Sequence, residues 1–118
     1  MGLFDVTQIA LQRALEGAGL RQQAISNNLA NVNAPGFKRS DVDFHSSLSA
    51  ALAGGETAVA AVPFTVQTDS STSMRADGNN VDVDQEMANL TQNASEYQAL
   101  AAIAKSRLQM IQTAIGNR

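Results

Sequence analysis

Three short constellations in this 118-residue chain contain side chains of types that can do chemistry. Asp41-Val42-Asp43-Phe44-His45 sets two carboxylates beside the only histidine, the residue set of a general base or a metal site. The spacing matches no ligand pattern and no partners lie nearby in the sequence, so a solvated or locally hydrogen-bonded cluster is expected. Asp77-Gly78-Asn79-Asn80-Val81-Asp82-Val83-Asp84 alternates acids and amides as a calcium loop does, but six residues after Gly78 stands Asp84 where such a loop needs a bidentate Glu. A tight turn leading into a capped helix accounts for the same residues. Lys38-Arg39 is the only adjacent basic pair and reads as a solvated turn. With eight scattered basic residues and a net charge of -3, the chain lacks the clustered cations that nucleic acid requires. No catalytic residue, cofactor-binding residue or metal ligand is therefore assigned, and the chain reads as no enzyme.

These residues must be held by the elements around them, and composition limits what those can be. Aromatic side chains are 4% of the chain, so much of its 44% hydrophobic content is Ala, which packs helices closely but buries little area. A chain of this size forms one small domain at most. The absence of cysteine excludes disulfides and thiolate sites and fits either a reducing or an exported setting. No stretch approaches the roughly 20 apolar residues that span a bilayer, so membrane insertion is not expected. Met1 to Leu20 has no basic start, and Asp5, Gln8, Gln12, Arg13 and Glu16 interrupt it, so no cleavable secretory signal is expected either.

Two long helices are predicted. Steps of four and three from Phe4 pick out Gln8, Leu11, Leu15, Ala18, Gln22, Ile25, Leu29 and Val32, a single seam at heptad spacing. Gly17 and Gly19 each cost about 1 kcal/mol inside such a helix and mark a bend or a close contact. The same steps from Val83 give Met87, Leu90, Ala94, Tyr97, Ala101, Ala104, Leu108, Ile111 and Ile115, all apolar or aromatic, with Leu100, Ile103 and Met110 widening the second half. Asp82 stands at the N-cap with Gln85 three residues on, and Asp84 and Glu86 add negative charge to the first turn. Lys105, Arg107 and Arg118 fall toward the other end, complementing the helix dipole.

Residues 40–80 are rich in Ser, Ala, Thr, Gly and Asp and read as loop. Val62, Phe64 and Val66 alternate with Pro63, Thr65 and Gln67, which predicts one short extended segment at an edge. Residues 69–80 are expected to be flexible until something binds them. The sharpest motif is NNLANVNAPGFK, residues 27–38. Its Asn residues, Asn28 and Asn31 among them, weaken the helix and tolerate left-handed geometry at its end, while Pro35 pushes Ala34 out of helical space. Pro35-Gly36 favours a type II turn with Gly36 at the positive-φ position, and Phe37 follows as an anchor.

The predicted fold is mainly α: two long terminal helices pairing as a coiled coil, joined by an irregular middle segment with at most a short extended strand. Its parts are 1–36, the N-terminal helix and turn; 37–80, the loop-rich middle; and 81–118, the C-terminal helix. Ala-rich seams bury too little between two helices alone to offset the entropy of ordering both. Packing against other subunits is expected, through Leu11, Leu15, Ile25, Leu29 and Val32 of the first helix and Met87, Leu90, Tyr97, Leu108, Ile111 and Ile115 of the last.

The run NNLANVNAPGFK resembles the signature near the N-terminus of bacterial flagellar axial proteins, the rod and hook subunits, and MGLFDV is similar to their start. DGNNVDVDQEM followed by YQAL is most similar to the proximal members of the basal-body rod family. The likeness covers residues 1–44 and 77–118, and Ala34 stands where the family usually has Thr. The resemblance implies a structural subunit of the proximal rod, exported unfolded through the flagellar type III apparatus into the periplasmic basal body. There it would stack helically with copies of itself and neighbouring rod proteins, its paired terminal helices forming an inner tube that transmits torque. The alternatives are a sister rod subunit with the same termini, or a soluble helical adaptor or chaperone that hides its stripes in a dimer.

Overall fold

The computed structural model describes residues 5–116. Asp5 opens the first helix, its carboxylate accepting the Gln8 N–H at 3.0 Å. Helix α1 runs Val6–Ala30, two residues short of the predicted end, and Phe4 lies outside the described residues. Beyond α1, the Asn31 N–H bonds to the Asn27 and Asn28 carbonyls at 3.2 Å each, and the Phe37 N–H closes a turn on Ala34 O at 3.2 Å. Gly36 takes φ 73° at the centre of that turn, as Pro-Gly predicts. The Asn residues do not take up left-handed geometry: Asn31 has φ -107°, and among the described residues only glycines have positive φ.

The middle is not loop throughout. After β1 (Ser40–Asp41) come two short helices, α2 (Phe44–Leu52) and α3 (Gly55–Ala61), then β2 (Gln67–Thr68). Asp43 caps α2 through the Ser46 N–H at 3.3 Å, and Gly55 at φ 81° makes the bend between the helices. Sparse apolar residues concealed these helices in the sequence, yet Phe44 and Leu48 lie one turn apart on a single face. β1 and β2 pair antiparallel with Ser40 opposite Thr68. The extended segment expected at Val62–Val66 leads into β2 without itself pairing.

Helix α4 spans Val83–Gly116. Asp82 caps it as predicted, Oδ1 accepting from Asp84 N–H at 3.0 Å and Gln85 N–H at 3.2 Å, while the Gln85 amide turns instead to Asn89. α4 folds back antiparallel on α1, in a molecule 67 × 26 × 14 Å. The α2–α3 lobe covers one side of α1. Its core joins Ala14, Ala18 and Ala24 to Val42 and Phe44, with Leu20, Leu48, Phe64 and Leu100 around them. Close approach explains Gly17, where a Cβ would fall 2.5 Å from Phe44 Cβ. Phe64 meets Phe44 edge-on with ring centroids 6.2 Å apart, and the Arg13 guanidinium lies 4.6 Å above its ring.

Candidate assembly interface

Helix α4 meets α1 through a polar ladder at heptad spacing: Glu86, Asn93 and Arg107, with Leu100 the one apolar step. Asn28 Nδ2 donates to Glu86 Oε2 at 3.2 Å and to Ser40 O at 2.8 Å. Asn93 Nδ2 donates to Ala18 O at 2.8 Å and Gln22 Oε1 at 3.2 Å. Near the open end Arg107 reaches Gln8 Oε1 at 3.2 Å and Asp5 Oδ1 at 3.1 Å.

The Glu86 step is the most constrained. Its carboxylate is fully buried and receives Arg39 Nε at 2.5 Å. Arg39 also bonds to Asp69 at 2.7 Å and Asp41 at 3.4 Å, and Arg21 holds Asp41 from α1 at 2.9 Å. Burial works to lower the Arg39 pKa, but its bonds to Glu86 and Asp69 outweigh that and raise it. For Asp41, burial works to raise the carboxyl, and the bonds from Arg21 and the Val42 N–H leave it lowered. The Ser71 hydroxyl and N–H, then Arg39 and Thr72, hold the Asp69 carboxyl well below its ordinary range.

Several local expectations are corrected here. Arg39 belongs to no solvated turn; it is buried as the hub of these acids, while neighbouring Lys38 bonds to the Gly78 carbonyl. Glu86 stands in the first turn of α4 as expected, and is in addition a buried ion-pair partner of Arg39. Asn79 and Asn80, expected in a flexible segment, are buried. Asn79 Nδ2 contacts three carbonyls beyond the end of α1, those of Asn31, Val32 and Ala34 at 3.0, 3.1 and 2.8 Å. Asn80 Oδ1 accepts the Arg39 N–H at 2.6 Å, and the Gly36 N–H bonds to Asp77 O at 2.8 Å. The turn and the start of α4 are thus fastened by amides that look, in sequence, like ordinary loop residues. The Asp41-Asp43-His45 cluster is divided among Arg21, the α2 cap and a contact from His45 to Glu96.

Of the residues assigned to assembly, Leu11 and Ile25 are buried inside the subunit, and Leu15, Leu29, Val32, Leu90 and Ile111 are half-buried. Met87, Tyr97, Leu108 and Ile115 stay exposed at 49%, 45%, 44% and 50%. Geometry explains the split. Met87, Ala94 and Leu108 each follow a ladder residue by one, which turns them about 100° round α4 and away from α1. In the turn motif, Asn28 is buried, Asn31 and Phe37 are half-buried, and Pro35 and Gly36 are exposed. Asn31 Nδ2 bonds back to Asn27 O at 2.8 Å.

Fold and surface together define a helical hairpin fixed internally by polar contacts, with apolar surface left on its longer helix. The family model for flagella basal body rod proteins matches residues 7–38. Flagellar basal body rod protein FlgB of Bacillus subtilis is 36% identical, covering 98% of this chain and 97% of the relative. Its counterpart from Borrelia hermsii is 33% identical over 82% and 86% of the two chains, and that of Escherichia coli 27% over 86% and 90%. The chain belongs to the FlgB family of flagellar basal body rod proteins. It is a structural subunit of the basal-body rod, where it assembles with other rod components.

Proposed function

We propose that the chain is a proximal-rod subunit that stacks helically with copies of itself and with neighbouring rod proteins, transmits torque by the stiffness of that packing, and catalyses nothing. One observation carries this reading: the apolar stripe of α4 lies beside the α1 contact and not on it, so folding leaves Met87, Tyr97, Leu108 and Ile115 bare. A long stripe of this kind calls for a neighbour. Leu90, Ile111, Leu15, Leu29 and Val32 form the margins of the interface, and Leu11 and Ile25 support it from beneath. In this reading residues 1–36 and 81–118 build the inner coiled-coil layer and residues 37–80 sit outside it. The chain reaches the periplasmic rod unfolded through the flagellar type III apparatus.

Leu108→Asp tests the interface. A carboxylate placed unpaired among apolar neighbours costs several kcal/mol, repeated at every subunit of a polymer. Motility and the amount of subunit in isolated basal bodies should both be lost, with the variant still exported. Gln109→Asp adds the same charge in the same turn and should assemble. Equal loss for both, or normal assembly of Leu108→Asp, rejects the stripe as the interface.

A further inference from the structure

We propose that the groove between α1 and α4, on the side away from α2 and α3, is a seat for α4 of a second copy, which approaches the backbone at Gly19 and sets its Ser106 hydroxyl on Asn93. This rests on the function proposed above and names the contact through which copies would stack. Gly17 and Glu96 touch α2, whereas Gly19 and Ala94 lie two positions away on the same helices, about 200° round, and line the groove with Ala18, Gln22, Asn93 and Tyr97.

Two features of this groove, the carbonyl oxygen of Asn93 and the missing side chain at Gly19, are not accounted for within the subunit. Asn93 is 1% exposed, and the two bonds of its Nδ2 fix which way the amide points. Among the described residues its Oδ1 has no hydrogen-bond partner. A buried acceptor is seldom left unpaired. Gln22 and Tyr97 beside it are themselves partly exposed, so an outside donor reaches it by displacing surface side chains and not backbone. Gly19 is the second. A Cβ there would meet nothing within 4 Å, unlike at Gly17, so the subunit's own packing does not require glycine. A bare backbone inside a helix suits close approach by another chain.

Length and area identify the occupant. From Val83 to Ile115 the exposed stripe runs about 48 Å, and at a helix width of about 10 Å it offers about 500 Å² per partner. That makes about 1,000 Å² in all, the lower bound of a specific interface, so only a helix of similar length covers it. Helix α4, with 34 residues, is one. Its distal half carries a fitting surface, Ile103 and Met110 at 50% and 63% exposure with the exposed Ser106 between them. Seat and inserted surface are different patches, so the contact is heterologous, the type that propagates as an open polymer when its rotation does not close.

The chain has no cysteine, which allows a clean cross-linking test. Gly19→Cys chain is mixed with Ser106→Cys chain under mild oxidation, at concentrations where the native chain associates. The mixed disulfide should form at least tenfold faster than between Gly19→Cys and Thr57→Cys, on exposed α3. Gly19→Leu, whose Cβ meets nothing in the subunit, should keep its helical circular dichroism and self-associate at least tenfold more weakly by sedimentation. Native association of Gly19→Leu, or cross-linking no faster than the control, overturns the seat and leaves the proposed function standing if Leu108→Asp still blocks rod assembly. No association at all, in solution or in cells, overturns both.

Discussion

The two ends of the helical hairpin are built on opposite rules. At the closed end, where α1 turns out and α4 begins, the interior is polar: Asn28, Arg39, Asn79, Asn80 and Glu86 are all buried and bonded across long sequence separations. At the open end α4 has no buried residue beyond Asn93, and the polar tie to α1 is Arg107 with Asp5 and Gln8. There the large apolar side chains face outward. A self-sufficient globular domain buries its greasy residues and solvates its charges. Beside the small apolar core around Phe44, this subunit fixes the pairing of α1 and α4 with hydrogen-bonded polar groups, whose directionality sets one geometry, and leaves the non-directional apolar area of distal α4 for neighbours.

The sharpest way to break that contrast is Arg39→Ala. Removing one partner of a buried pair costs about 3–5 kcal/mol, because Glu86 would be left as an uncompensated charge. Denaturant melts of the purified subunit should show a loss of that order, with the lobe and the α1–α4 junction released together. A loss under 1 kcal/mol would mean the closed end is not what holds the fold. Gly36→Val acts on the same end through the backbone alone, since a Cβ there meets nothing within 4 Å but φ is 73°. Left-handed geometry costs a β-branched residue about 1–2 kcal/mol. Rod assembly should fall more than export does, and unchanged motility would show that the turn does not set the exit direction of the lobe.

The helices and their caps were legible because their signals are local: a heptad rhythm, Asp82 before the first turn of α4, Pro35-Gly36 after α1. The polar closed end was not, because each of its residues has a bland local reading. Arg39 beside Lys38 looks like any exposed basic pair, and its partner Glu86 lies 47 residues away. Asn79 and Asn80 look like turn residues, and what they satisfy are carbonyls and N–H groups brought near only by the fold. The seam was legible as a stripe but not as a face. Heptad steps locate apolar positions, yet the contact with α1 follows the register Glu86-Asn93-Leu100-Arg107, which hydrophobicity cannot find because three of the four residues are polar.

Acid gives a milder test of the same end. Asp41 and Asp69 are both held below their ordinary values, so their stabilisation is present above the unfolded carboxylate range, about pH 3.9, and is lost as pH falls through the folded values. Stability measured by urea melts should hold steady from pH 7 down to about 4.5 and then decline. Arg39→Ala, which removes a partner from both acids, should flatten the decline. An equally steep decline in the variant would assign acid sensitivity to other carboxylates.

The smallest effect is expected at the open end, and it decides how the assembly experiment is read. Leu108 is 44% exposed in the subunit, so Leu108→Asp leaves the new carboxylate in water when the chain is alone. Exposed substitutions of this kind change stability by about 0.5 kcal/mol or less, with a further few tenths from the lower helix propensity of Asp. Gln109→Asp carries that propensity term without touching the stripe, so the difference between the two melts isolates what Leu108 contributes to the folded monomer. A near-zero difference, combined with loss of assembly for Leu108→Asp alone, places the whole penalty at a surface that exists only between chains. A difference of 2 kcal/mol or more would instead place Leu108 in the subunit's own core, and the division between a polar, self-locking end and an apolar, outward-facing one would fail.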